Sequence, residues 1–315
     1  MILAADIGGT KTRLGLFDGG IYPVAAATVK TADFYRPTDL IATFLAPYGV
    51  RPTRACFGVA GPVVDGSVLQ VNLPWIVDAA EFQRELGLDV VLVNDIVANA
   101  RGIGLLPETD FAVVNAGIPD AFGARAVVSA GTGLGEAALW WDGTEHRAAA
   151  SEGGSSTFGP RNLLEAELYH FLAAEQGRVT FGHICSGPGL QNVYRFLSGG
   201  DAPDPAAITA EADADPDSTA SAALDLFVSV YGTRAGDVVL GYAATGGVYL
   251  GGGIAPKILP RLLDGRFLRS FTDKGRLSWL LERTPVRVVL NSDAALIGAA
   301  AYAAASAPVR LPRAA

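Results

Sequence analysis

Cysteine is nearly missing from this chain. Only Cys56 and Cys185 occur, far apart and without C-x-x-C spacing, which excludes a disulfide framework and a cysteine zinc site. Both read as reduced core thiols. Histidine is equally scarce: His146, His170 and His183 show no H-E-x-x-H or other paired ligand spacing, and no G-x-S-x-G nucleophile elbow is present. His170, on an expected helix face, reads as a packing or solvated residue. Basic charge is in deficit, with 24 Lys and Arg against 32 Asp and Glu and a net charge of -8. No diffuse positive field can therefore gather nucleic acid or an anionic membrane surface. No run of about 18 apolar residues escapes Gly, Pro or charge. The opening Met-Ile-Leu-Ala-Ala-Asp lacks the basic start and cleavage site of a signal peptide. The expectation is a cytoplasmic protein with neither a nucleic-acid nor a membrane partner.

What the chain has is a large apolar fraction, 50% of 315 residues with 18% charged, enough for a substantial core. Single cores stop growing at roughly 250 to 300 residues, so two lobes with a cleft are expected. The run at 2–6 (ILAAD), the pair Gly8-Gly9 and the alternating stretch Thr12 to Phe17 read as strand, tight turn, strand. An amphipathic stretch ending near Ala46 follows, then strands at Ala55 to Val59 and Val90 to Val93, the last leading into a helical pattern from Ile96 to Leu105. Alternating strands and helices make this an α/β lobe. A second strand, glycine turn, strand unit comes from Ala126 to Ser129, Gly131, Gly133, Gly135, and Ala137 to Trp141, a faint repeat of the first. Residues 198–219, rich in Asp, Ala and Pro, read as a solvated surface excursion. Asp293 to Ala305 reads as a helix with Leu296, Ile297 and Tyr302 on one face.

Five constellations bear on chemistry. In DIGGTKTR (Asp6 to Arg13) the glycines let backbone N–H groups approach an anion, and Thr10 and Thr12 add hydroxyl donors. A phosphate is the natural guest, and Asp6 beside it calls for Mg²⁺, held directly or through water. The plain alternative is an ordinary Gly-Gly hairpin. Neither G-x-x-x-x-G-K-[ST] nor a helix-opening G-x-G-x-x-G is present. SAGTGLGE (Ser129 to Glu136) supplies a second glycine turn; together the two suit a cleft that binds a triphosphate. LVNDIVANA (Leu92 to Ala100) places Asn94 and Asp95 at the carboxyl end of a buried strand, with Asp95 as general base on a hydroxyl or, alternatively, as a helix cap. SEGGSSTFGP (Ser151 to Pro160) offers Glu152 to vicinal hydroxyls, or else a solvated loop acid. VYLGGGIAPK (Val248 to Lys257) ends a strand in Gly251, Gly252 and Gly253, where an adenine face could rest, or which only turn the strand into a helix whose second turn follows Pro256.

With these motifs in order, the chain resembles the bacterial glucokinase family of the hexokinase and actin-like ATPase superfamily. DIGGTKTRLGL, GVAGPV, NLPW, LVNDIVA, AGTGLG, SEGG, CSGPGLQNVYRFL, LGGGIAPK and FTDKGRL carry the resemblance over essentially the whole chain. It implies a two-lobed actin-like ATPase (ribonuclease H-like) α/β fold with a central cleft, its lobes being 1–105 plus 294–315 and 106–293. It implies ATP and Mg²⁺ as cofactors and a sugar as substrate. Asp6, Gly8, Gly9, Thr10, Lys11 and Thr12, with Gly131, Thr132 and Gly133, would lie on the phosphates and metal, and Gly251, Gly252, Gly253 and Ile254 near the adenosine. Asn94, Asp95, Glu152, Ser155 and His183 would face the sugar, with Asp95 as base for the 6-hydroxyl. A homodimer is implied as well.

Two positions depart from the family pattern. Its E-G-G-H motif reads Glu152-Gly153-Gly154-Ser155 here, and a second family glutamate falls at Gly182, followed by His183. Both changes sit at the C1 and C2 end of the sugar. Each lost hydrogen bond to a charged group is worth roughly 1.5 to 3 kcal/mol, so the pair could weaken glucose by about two to four powers of ten. The expected activity is a glucokinase, with a kinase for another hexose, a ketose or a sugar acid as the alternative. A non-catalytic sensor would have no use for Asp95, and an assembly ATPase none for Asn94 and Glu152. The zinc motif and N-terminal helix-turn-helix of the related repressors are not seen.

Overall fold

The computed structural model describes residues 1–61, 63–69 and 76–305; Pro62 of GVAGPV and the NLPW motif at 72–75 lie outside them. The chain divides into two compact units, Met1–Pro107 with Asn291–Ala315, and Glu108–Leu290.

The first unit opens with a three-strand meander, β1 (Ile2–Ile7), β2 (Lys11–Phe17) and β3 (Ala25–Lys30), followed by α1 (Pro37–Leu45) and β4 (Arg54–Val59). A small hairpin of β5 (Ser67–Leu69) and β6 (Ile76–Asp78) leads into α2 (Ala79–Leu86), β7 (Asp89–Asn94) and α3 (Asp95–Ile103). The sheet order is β3-β2-β1-β4-β7, antiparallel at β3-β2-β1 and parallel at β1-β4-β7. The parallel strands are covered on both faces, and β1 and β4 accordingly read as near-continuous apolar runs. On one face Leu3, Ala5, Ile7, Phe57 and Val59 pack with Leu40, Ile41 and Phe82 of α1 and α2. Helix boundaries follow local chemistry: Asp78 accepts from the Ala80 N–H at 2.8 Å to start α2, and Gly87, at φ 63°, ends it.

The second unit repeats that plan. Its elements are β8 (Phe111–Asn115), β9 (Arg125–Ala130), β10 (Leu134–Trp141), β11 (His146–Ser151), α4 (Leu163–Gln176), α5 (Gly187–Ser198), α6 (Pro205–Ala214), α7 (Thr219–Tyr242), β12 (Gly247–Gly251), α8 (Leu259–Leu263), α9 (Arg266–Thr272), α10 (Ser278–Arg283) and β13 (Val286–Val289). The order β11-β10-β9-β12-β13-β8 has the same antiparallel meander and parallel continuation as the first sheet, with β8 added antiparallel at its edge. The faint sequence repeat is thus a repeat of topology. Helix α7 is the spine of this unit: Phe227, Val228, Tyr231 and Ala235 are fully buried, and the Tyr231 hydroxyl donates to the Val128 carbonyl at 2.8 Å.

The final helix, α11 (Ala294–Ala305), belongs to the first unit. It is not the one-faced amphipathic helix its sequence suggests, since Ala294 through Ala300 are all buried. The cause is a backbone-to-backbone crossing with α3. A Cβ on Gly298 would stand 1.8 Å from the Ala98 carbonyl oxygen, and one on Gly102 1.7 Å from that of Ala294. Two further expectations change. Residues 198–219 contain α6, because Asp204 caps and Pro205 occupies the first turn, and Ile208 and Ala212 are fully buried. Beyond Gly253 the chain makes turns before α8 begins at Leu259, so Pro256 lies outside any helix.

Candidate functional site

In the first unit, register brings the motif residues to one edge of the sheet. Asp6 on β1 pairs with Gly58 on β4, and Val59 pairs with Asn94 on β7, so all lie at the carboxyl ends of parallel strands, where α/β sheets present ligand groups. Gly58 makes the approach of α3 feasible. A Cβ there would meet Ala98 Cβ at 3.3 Å and the Asp95 Cα at 3.4 Å. Asn94 caps α3, its Oδ1 accepting from the Ile96 N–H at 3.1 Å while Nδ2 donates to the Gly61 carbonyl at 3.2 Å. Asp95 Oδ1 accepts from the same Ile96 N–H at 2.8 Å. Both the capping and the catalytic readings of this pair therefore draw on one geometry.

Asp6 is crowded by like charge. Burial first, then the neighbouring Asp95, push its carboxyl up to about 7, against the opposing pull of Arg13. Arg13 is itself engaged, bonding Asp293 at 2.5 Å and Thr28 Oγ1 at 2.9 Å. A divalent cation would relieve the crowding of two carboxylates. Among the described residues no group of three or more His, Cys, Asp or Glu is assembled. Asp6 with phosphate and water oxygens is the donor set that remains, and that is the set Mg²⁺ favours.

At the turn between β1 and β2 the carbonyls of Gly8, Thr10 and Lys11 are engaged by the protein: the Gly8 N–H donates to Lys11 O at 3.1 Å, the Thr31 N–H to Thr10 O at 3.1 Å, and Thr31 Oγ1 to Gly8 O at 2.7 Å. Three groups that would repel a phosphate are thereby occupied, and Gly9, Thr10 and Lys11 are exposed. Thr12 requires a correction. It is fully buried and its hydroxyl bonds Thr31 Oγ1 at 3.0 Å, because strand alternation turns it inward. It anchors the turn and presents no donor to a ligand.

The second unit treats its own glycine turn the same way. The carbonyl of Ala130 accepts from the Ile254 N–H at 3.3 Å, Gly131 O from the Gly187 N–H at 2.8 Å, and Gly133 O from the Gly131 N–H at 2.9 Å. Three motifs thus meet: Gly131, Thr132 and Gly133, the start of α5, and Gly251 to Ile254. Gly252 is obligatory there, with φ 78° and a would-be Cβ 2.3 Å from Ala130 O.

The loop after β11 carries Glu152 and Ser155, both exposed, with the Ser155 N–H donating to Glu152 O at 2.9 Å. It pairs with the segment ahead of α5 through Phe158 N–H to Val179 O at 3.0 Å and Phe181 N–H to Ser156 O at 3.2 Å. Gly182 consequently lies beside Gly154, whose oxygen is 3.4 Å from a Cβ built at 182. The half-buried His183 is oriented by the Thr180 N–H, which donates to Nδ1 at 3.3 Å. Burial first, then Arg178, lower its pKa, favouring the neutral ring with its proton on Nε2. The structure brings the two departing positions, Ser155 and Gly182, together.

Comparison with known proteins identifies the lineage. The glucokinase family model matches residues 3–306. The chain belongs to the glucokinase family. It is 38% identical to the glucokinase of Mesorhizobium japonicum over 310 residues, covering 96% of this chain and 91% of that one. It is 35% identical to that of Nostoc punctiforme over 337 residues, covering 96% and 99%. Among solved structures, a glucokinase from an Antarctic psychrotroph superposes with TM-score 0.84 at 33% identity, covering 97% and 99%. A ROK-family glucokinase from Streptomyces griseus, solved with glucose and AMPPNP, gives 0.69 at 22%, covering 97% and 99%. The fold is the actin-like ATPase fold of these sugar kinases.

Motif reading of the glucokinase family missed two features. Gly58, inside GVAGPV, seats Asp95, a part that the motif by itself does not announce. Arg234 carried no signal, because a lone arginine inside a long helix resembles any solvated position, yet it forms a buried ion pair with Glu136.

Proposed function

We propose that this chain is an ATP-dependent glucokinase that transfers the γ-phosphoryl group of ATP to the 6-hydroxyl of glucose. Family membership carries the reaction. The observation that carries the residue roles is the convergence of Asp6 and Asp95 at one sheet edge beside a glycine turn whose Gly8 and Thr10 carbonyls are occupied. Asp95 accepts the proton of the attacking hydroxyl, and Asn94, rigidly held as the α3 cap, orients a neighbouring hydroxyl with its remaining amide hydrogen. Asp6 would hold Mg²⁺, which supplies charge neutralisation to the phosphates when bound. The turns at Gly8 to Lys11 and Gly131 to Gly133 receive phosphate oxygens, and Gly251 to Ile254 borders the adenosine. Glu152, Ser155 and His183 receive the sugar at its C1 and C2 end. The enzyme works in the cytoplasm as a homodimer; among the described residues no helix is long and apolar enough to cross a membrane.

A specific observation favours a second reading, altered choice at C1 and C2. Gly182 has no positive φ, and a side chain there would meet only ordinary contacts at 3.4 and 3.7 Å. The fold does not demand glycine at 182, which leaves this position open to selection by the sugar. ADP release with ATP and Mg²⁺ against glucose, mannose, fructose, glucosamine, N-acetyl sugars and gluconate decides between them. Preference for glucose supports the first reading and clear preference for another sugar the second. Turnover with none of them overturns both.

A further inference from the structure

The loop that carries Glu152 and Ser155 closes over a buried guanidinium. Glu136 on β10 is fully buried, and Arg234 on α7 meets it in a two-pronged pair, Nε to Oε1 at 2.7 Å and Nη2 to Oε2 at 2.8 Å. Nη2 also donates to the Gly153 carbonyl at 2.9 Å. The guanidinium lies over the Phe181 ring with its carbon 4.7 Å from the centroid, a favourable cation–π distance. One side chain therefore touches both segments of the proposed sugar end, 151–156 and 181–183.

The glycines of this loop fit that arrangement and no looser one. A Cβ on Gly153 would stand 2.1 Å from Glu136 Oε2 and 2.6 Å from Arg234 Nη2, and one on Gly154 2.0 Å from the Leu134 carbonyl oxygen. The loop backbone is seated directly on the ion pair and on the first residue of β10. Burial works against a charged Arg234, yet its bonds to Glu136 more than offset this and leave it above the usual range. A lysine cannot replace the fork, since it offers a point charge where two guanidinium nitrogens reach three acceptors.

We propose that Arg234, locked by Glu136, is the positioning residue of the sugar loop, setting the places of Glu152 and Ser155 through Gly153 and of Gly182 and His183 through Phe181. The role rests on the sugar-kinase reading above. It predicts a selective defect: the sugar loop shifts when the fork is lost, while the glycine turn at Gly131 to Gly133 keeps its own bonds from Gly187 and Ile254.

Three variants test it. Arg234→Lys keeps the charge and loses the fork. Gly153→Ala leaves both charged side chains in the protein and drives a methyl group between the pair and the loop. Glu136→Leu with Arg234→Met removes both buried charges together, the form of change that buried ion pairs tolerate best. In each, KM for the sugar preferred by the wild type is expected to rise by about 10- to 100-fold, the scale of an ångström-sized misplacement, with KM for ATP near the wild-type value. If the double variant melts at the wild-type temperature and still shows the raised sugar KM, the positioning role stands. Unchanged sugar KM in all three overturns it, as does a parallel rise in both KM values, which marks a strut for the whole unit. Wild-type protein that turns over no sugar would instead overturn the kinase reading itself.

Discussion

Asp95 and His183 are the residues whose individual chemistry can be read most directly. Replacing Asp95 with Asn preserves size and an oxygen able to accept from the Ile96 N–H, while removing the proton acceptor. The kcat is expected to fall by about 10²- to 10⁴-fold, with ATP affinity near wild type in equilibrium titration. A variant with unaltered turnover would remove Asp95 from the mechanism. His183 gives a pH signature. Its pKa is depressed in the fold, so below the unfolded value of about 6.5 the unfolded chain binds a proton that the folded chain refuses. Its contribution to stability is therefore present above about pH 6.5 and is lost on acidification toward the depressed value. The melting temperature of wild type minus that of His183→Gln is expected to fall as pH is lowered through that range. A difference that stays flat would show that His183 titrates alike in both states.

At the scale of elements, the crossing of α3 and α11 decides where Asp95, the proposed base, is held. Gly298→Val forces a side chain into the Ala98 carbonyl and should cost about 3 kcal/mol or more, read as a lowered urea midpoint. Gly200→Ala, where nothing lies within 4 Å, is the matched control and should stay within about 0.5 kcal/mol. This crossing also marks a limit of sequence reading. The glycine turns, the buried strands and the Asn94-Asp95 corner are legible because each is local: a strand, a turn, a cap. Leu296 and Ile297 suggested a single apolar stripe, whereas the information lay in the smallness of Ala294 and Gly298, which acquires meaning only against Ala98 and Gly102 nearly two hundred residues away. The 204–205 Asp-Pro start of α6 was local too, but was masked by the polar composition around it. Arg234 was invisible for the same reason as the crossing, its partner Glu136 being nearly a hundred residues distant. Thr12 was misassigned because a motif names residue types, while the side of a strand on which each one falls is set by pairing with β3 and Thr31.

At the scale of the molecule, both ends of the chain build the first unit. Residues 1–107 supply its strands and three helices, and α11 supplies the cover for β1, β4 and α3. Removal of residues 291–315 is therefore expected to unfold the first unit selectively. Hydrogen exchange should report loss of protection in β1, β4 and β7 with β9, β10 and β12 still protected, and equal loss in both units would refute the division. The doubled sheet topology explains how this is tolerated: the second unit, Glu108–Leu290, is one uninterrupted stretch with its own core.

That interruption has a temporal side. A ribosome making about 5 to 20 residues per second leaves β1, β4 and β7 without α11 for roughly 10 to 40 s while the second unit is being made. For that interval one face of the first sheet has only α3 to rest on, with Gly15 and Gly102 uncovered. Asp6, Asn94 and Asp95 are thus translated early yet positioned late, and a nascent chain halted before residue 294 should be cut by protease in the first unit and spared in the second.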